Sequence, residues 1–187
     1  IEVSYVKRNL RDYDLVHFAG HCEGDTPSGE PAWIFKDGQF GVEDIRGLTG
    51  AQPFPALIFS NACHSAKIYR LAQAFLFSGV RHYLGAIRRI EDNEALFFAR
   101  EFYDGLILGK AVGQAVRDAR LGLVKEKGIK QAGWLSYLLY GDPGFCLFSP
   151  KKTKAAAKNK PEKKPRKKKL FFLVLTAGAI IFALALS

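Results

Sequence analysis

Short apolar runs closed by turn residues alternate with amphipathic helical repeats through the first 150 residues. A chain patterned this way is confined to a largely parallel sheet with helices on both faces. Leu15-Val16-His17-Phe18 between Asp14 and Gly20, Ala32-Trp33-Ile34-Phe35 before Lys36-Asp37-Gly38, and Ala56-Leu57-Ile58-Phe59-Ser60 read as strands. From about Ala66 to Phe77 a helical repeat puts Ile68, Leu71, Ala72, Phe75 and Leu76 on one face, and a strand over Arg81 to Ile87 follows. Within Glu91 to Leu108, Ala95, Phe98, Ala99, Phe102 and Leu106 recur at helical spacing with Gly109 as the stop, and Ala111 to Lys125 repeats the pattern. Trp134 to Tyr140 and Phe145 to Phe148 are expected as two last strands around the turn Gly141-Asp142-Pro143-Gly144. Ligands of such a sheet gather beyond the carboxyl ends of its strands.

The composition changes abruptly near Pro150, which divides the chain into a globular part (1–150), a basic stretch (151–169) and an apolar run (170–187). Residues 151–169 hold ten lysines and one arginine against Glu162, which accounts for the whole formal charge of +10, so residues 1–150 are neutral. A neutral globular part offers no electrostatic groove, and nucleic acid is not an expected partner. With no apolar side chain larger than alanine, 151–169 reads as a disordered linker. Leu170 to Ser187 carries no charge; as a helix it would be about 27 Å long, close to the roughly 30 Å of a bilayer's hydrocarbon core, and it is read as one transmembrane helix. Lys167-Lys168-Lys169 directly before it would hold the globular part in the cytoplasm of a single-pass membrane protein, and the lysines suit anionic lipid head groups.

Three cysteines, Cys22, Cys63 and Cys146, form an odd set without C-x-x-C spacing, which argues against a disulfide framework or a zinc site. No metal and no organic cofactor is expected. The chain contains no Met and opens directly on Ile1-Glu2-Val3, so it reads as a fragment or processed piece with more chain before it.

Two predicted strand ends carry groups suited to chemistry: His17-Phe18-Ala19-Gly20-His21-Cys22 and Ser60-Asn61-Ala62-Cys63-His64-Ser65. Cys63 is expected just before a helix start, where the dipole favours a thiolate, and adjacent parallel strands about 4.8 Å apart bring their tips within reach of one substrate. A lone cysteine is ordinarily a small core residue, but two such tips together outweigh that reading. Glu91, Asp92 and Glu94 follow another strand end and would suit a pocket for a basic side chain; their ordinary explanation is as first-turn acids that complement a helix dipole. His17 is read as a packed strand residue and His64 as an exposed helix-start residue.

His-Phe-Ala-Gly-His at 17–21, Asn-Ala-Cys at 61–63, Leu71-Ala72-Gln73-Ala74-Phe75-Leu76 before Gly79-Val80, and Leu139-Tyr140-Gly141-Asp142-Pro143 resemble the CHAT family of caspase-like cysteine peptidases, over about residues 12–148. The resemblance implies a caspase-like three-layer α/β sandwich with a mostly parallel sheet. It gives His21 the role of general base and Cys63 that of nucleophile, with the backbone N–H groups of Cys63 and Cys22 as oxyanion donors and a protein as substrate. It also implies an upstream sensor or repeat module and a part in signalling or defence. Cys22 stands where the family pattern has Gly, His64-Ser65 replaces the usual pair after the nucleophile, and Arg88 stands where a Trp is common. Those departures motivate the alternatives of an inactive scaffold or binding module and of a plain membrane-surface adaptor.

Overall fold

The computed structural model describes residues 1–23, 31–48, 53–67 and 69–148, and the backbone of 170–174. Its central sheet has five strands in the order β7-β6-β5-β1-β8. Here β1 is Leu15–Gly20, β5 Leu57–Ala62, β6 His82–Ala86, β7 Tyr137–Tyr140 and β8 Leu170–Val174. All neighbouring pairs are parallel except β6 with β7. A separate three-stranded antiparallel sheet is formed by β2 (Cys22–Glu23), β3 (Ala32–Phe35) and β4 (Gly38–Gly41). The helices are α1 (Val3–Asn9), α2 (Val42–Arg46), α3 (Arg70–Ser78), α4 (Asp92–Ile107) and α5 (Val112–Lys127).

Period-two alternation along the strands separates two hydrophobic layers. Val16, Phe18, Ile58, Ala62 and Tyr83 point into one layer with Trp33, Phe40, Leu71 and Phe75, so α1, α2, α3 and the small sheet cover that face. Leu15, Leu57, Phe59, Leu84 and Ala86 point into the other, against Phe98, Phe102 and Leu106 of α4 and Ala115, Val116 and Ala119 of α5. Phe59 is fully buried there and meets Phe102 edge to face, ring centroids 5.3 Å apart. Helix α4 packs on α5 through Gly105, whose hydrogen lies where a Cβ would sit 2.9 Å from Ala115 Cβ. Gly79 ends α3 with φ +114°, a left-handed stop that glycine adopts without strain.

Three sequence expectations are corrected. The helix predicted from Ala66 begins at Arg70, because residues 63–67 form a turn pinned to the sheet rather than the first turn of the helix. Phe145 to Phe148 is not a strand: Val112 N–H donates to the Phe145 carbonyl and Gly113 N–H to that of Pro143, so this segment caps α5 instead. The transmembrane helix predicted over 170–187 is replaced in its first five residues by β8, whose backbone pairs with β1 in register Leu15↔Leu170 to Ala19↔Val174. The outer edge of β1 supplies backbone partners, and an uncharged Leu-Phe-Phe-Leu-Val run suits a strand as well as a helix, which apolarity and length alone do not separate. Among the described residues no helix is long and apolar enough to cross a membrane. The predicted linker at 151–169 and the remainder of the predicted span, 175–187, lie outside the described residues.

Candidate active site

Strands β1 and β5 pair in parallel, their last matched residues being Gly20 and Ala62. His21 and Cys63 are the next residue on each strand, so two hydrogen-bonded neighbours deliver an imidazole and a thiol to the same edge of the sheet, its carboxyl end. His21 is exposed and Cys63 half-buried. The His21 carbonyl accepts from Ile34 N–H at 2.9 Å, which ties the tip of β1 to β3. The Cys63 thiol faces the Ile90 carbonyl at 3.9 Å, on the loop that leads from β6 to α4.

The turn carrying Cys63 is held by buried hydrogen bonds that the sequence did not announce. Ser65 Oγ donates to the Ser60 carbonyl at 2.8 Å and accepts from Ala86 N–H at 3.0 Å, while Tyr83 donates its phenol to the Ser65 carbonyl at 2.9 Å. Trp33 Nε1 donates to Ser60 Oγ at 2.8 Å. Burial, the largest cause, raises the Tyr83 phenol far above its ordinary range, so it stays a donor. His64, immediately after Cys63, has φ +60°, and among the described residues no other non-glycine has positive φ. Its N–H donates to the Arg88 carbonyl at 3.3 Å and its side chain is exposed. A left-handed residue here turns the chain sharply and leaves Cys63 at the apex. Because α3 starts only at Arg70, its dipole does not act directly on Cys63, contrary to the sequence expectation.

On the opposite face of β5, Asn61 accepts a short hydrogen bond of 2.5 Å from the Tyr137 phenol and donates through Nδ2 to the Ala95 carbonyl at 3.3 Å. Tyr137 is stacked on Phe98 with centroids 3.7 Å apart. Burial raises its phenol strongly, and the charges of Cys63 and then Glu94 act in the same direction. Both groups therefore lie in the electrostatic neighbourhood of one phenol.

The acidic trio divides. Glu91 and Asp92 are exposed at the start of α4, whereas Glu94 is buried. Cys22 is buried in the core layer with Trp33, its backbone lacks positive φ, and its thiol charge acts on the buried Tyr83 phenol. The side chain that departs from the family pattern thus packs inward. Cys146 is exposed. His17 is a packed strand residue, stacked on Phe59 at 4.5 Å, and burial lowers its pKa to about 3. No group of three or more metal-ligating side chains comes together among the described residues.

Among solved structures the chain is similar to the Arg-specific cysteine proteinase gingipain R, with a TM-score of 0.60 and 16% identity over 77% of this chain and 36% of that one. This likeness defines the class: an α/β protein with the caspase-like fold of that proteinase, spanning about a third of the proteinase's length. Protein GSU0716 from Geobacter sulfurreducens aligns at a TM-score of 0.43 and 16% identity over 79% of this chain and 77% of its own, too distant a likeness to add to the argument. No curated protein matches the chain. The model of the CHAT domain matches residues 1–145, and the chain belongs to that family.

Proposed function

We propose that the chain is a cysteine endopeptidase in which Cys63 attacks a scissile carbonyl of a protein substrate. His21 accepts the thiol proton, passes a proton to the leaving amine, and then activates the water that releases the acyl group. The N–H groups of Cys63 and Cys22 are the proposed oxyanion donors. The observation that carries this reading is the β1–β5 register, which makes His21 and Cys63 the first residues past the last matched pair. A CHAT-fold scaffold without catalysis is the second reading, favoured by the Cys63 thiol facing the Ile90 carbonyl. Incubation of the full chain with a peptide library, read by mass spectrometry, separates the two. New termini absent in Cys63→Ala and His21→Ala support the peptidase, and no Cys63-dependent cleavage supports the scaffold.

Membrane association with the domain in the cytoplasm is proposed on composition alone, from the basic stretch at 151–169 and the apolar residues after it. A signalling or defence role with an upstream module rests on family resemblance. Flotation with anionic and with neutral vesicles tests the first of these: recovery in the top fraction supports it, and a chain that stays at the bottom with both refutes it.

A further inference from the structure

Asn61 belongs to the Asn-Ala-Cys tripeptide at 61–63, and the proposed chemistry gives it no task. Strand β5 is matched to β1 as far as Ala62 but to β6 only as far as Ser60, opposite Gly85. Past that point Ser65 Oγ stands between β5 and β6, donating to the Ser60 carbonyl and accepting from Ala86 N–H. The Ala86 carbonyl accepts from Ala66 N–H at 2.7 Å. Ala86 thus gives both of its backbone groups to the turn that follows Cys63, and Asn61 and Ala62, the residues before Cys63, are matched to β1 and no longer to β6.

The Asn61 side chain takes the place of that interrupted ladder. It accepts from the Tyr137 phenol at 2.5 Å and donates to the Ala95 carbonyl at 3.3 Å, which holds the end of β5 from β7 and from α4. Because β6 lies between β5 and β7, the phenol reaches Asn61 across Ala86, which is paired with Tyr137 and presents only a methyl group. Tyr137 is anchored in turn by the Arg120 guanidinium, which donates to its carbonyl. Burial above all keeps the phenol protonated, and the charge of Cys63 is the next cause, so the donor to Asn61 persists within electrostatic reach of the thiol. Ile90, whose carbonyl the thiol faces, lies in the same layer as Tyr137.

We infer that Asn61 and Tyr137 are positioning residues: Tyr137, acting through Asn61, fixes the end of β5 and with it the direction in which Cys63 presents its thiol. This rests on the peptidase reading. A misdirected thiol loses its aligned approach to the scissile carbonyl, so the effect falls on kcat rather than on KM.

The test uses the full chain carrying Tyr137→Phe, Asn61→Ala or both, each shown by circular dichroism to be folded at the assay temperature. Tyr137→Phe keeps the buried ring and deletes the hydroxyl alone. In the first arm kcat and KM are measured on a peptide that the wild type cleaves. A kcat lowered at least about tenfold in each single variant at unchanged KM, with no further loss in the double variant, supports the inference. A smaller loss, a loss confined to KM, or a further loss in the double variant overturns it and leaves the peptidase reading intact. The second arm follows the rate of Cys63 alkylation by iodoacetamide against pH, which requires no turnover. Where the wild type cleaves no peptide, the peptidase reading fails and this arm decides. A rate profile displaced alike in all three variants upholds the control of the thiol by Asn61 and Tyr137, and an unchanged or unequally displaced profile overturns that as well.

Discussion

The two faces of strand β5 are built from the same six residues and serve different ends. On one face Ile58 and Ala62 are apolar core, and Ser60 belongs to a closed set of hydrogen bonds with Trp33 and Ser65 that fixes the turn at Cys63. On the other, Leu57 and Phe59 are packed among aromatic rings, and Asn61 reaches Tyr137 and Ala95. The first face uses its polar groups in that set of bonds and holds the turn that carries Cys63. The second ties β5 to Tyr137 of β7 and to the Ala95 carbonyl of α4. One side of the strand thus holds the turn at Cys63, and the other ties the strand to β7 and α4.

The largest test of this division is Phe59→Ala. Removing this fully buried ring from the aromatic face is expected to cost about 3–5 kcal/mol in urea unfolding. Next in size is the acid sensitivity of the same layer. His17 has a folded pKa lowered to about 3 from an ordinary 6.5, so the unfolded chain takes up the proton first as pH falls. Its contribution is present above pH 6.5 and is lost between there and about pH 3, at up to about 1.4 kcal/mol per pH unit. His17→Phe should flatten that part of the stability profile, and an unchanged profile would assign the acid lability elsewhere.

On the face that holds the turn, Ser65→Ala removes a donor to Ser60 and strands the buried Ala86 N–H, with an expected loss of about 1–3 kcal/mol. The turn is displaced as well, so the rate of Cys63-dependent cleavage should fall by up to about 100-fold. A stability loss without any loss of rate would mean that the turn does not depend on this network. The smallest effect is expected from Tyr137→Phe, which removes one bond to Asn61 at about 0.5–1.5 kcal/mol. Urea unfolding of that variant checks the value, and an unchanged midpoint would mean that the bond contributes nothing.

The layered fold was legible because its strands are uncharged runs and its long helices carry clean periodicity, as at Phe98, Phe102 and Leu106. The two strand tips were legible too, since parallel pairing makes tips neighbours whatever their separation in sequence. Other features were hidden for physical reasons. The Tyr137–Asn61 bond joins residues 76 apart, with no local pattern to mark it. The left-handed His64 is set by the anchoring of Ser65, a tertiary effect that overrides the local helix signal. Leu170–Val174 reads equally well as helix or strand until the open edge of β1 is in view. The acids Glu91, Asp92 and Glu94 look alike in sequence and are separated only by burial.

The pairing of His21 with Cys63 is tested most directly by covalent labelling. The full chain is treated with peptidyl acyloxymethyl ketones bearing Arg, Lys, Leu or Asp, and the modified residue is mapped by mass spectrometry in the wild type, Cys63→Ala and His21→Ala. The account predicts modification at Cys63, absent in Cys63→Ala and strongly reduced in His21→Ala. Modification that persists in Cys63→Ala, or that is unaffected by His21→Ala, would contradict it.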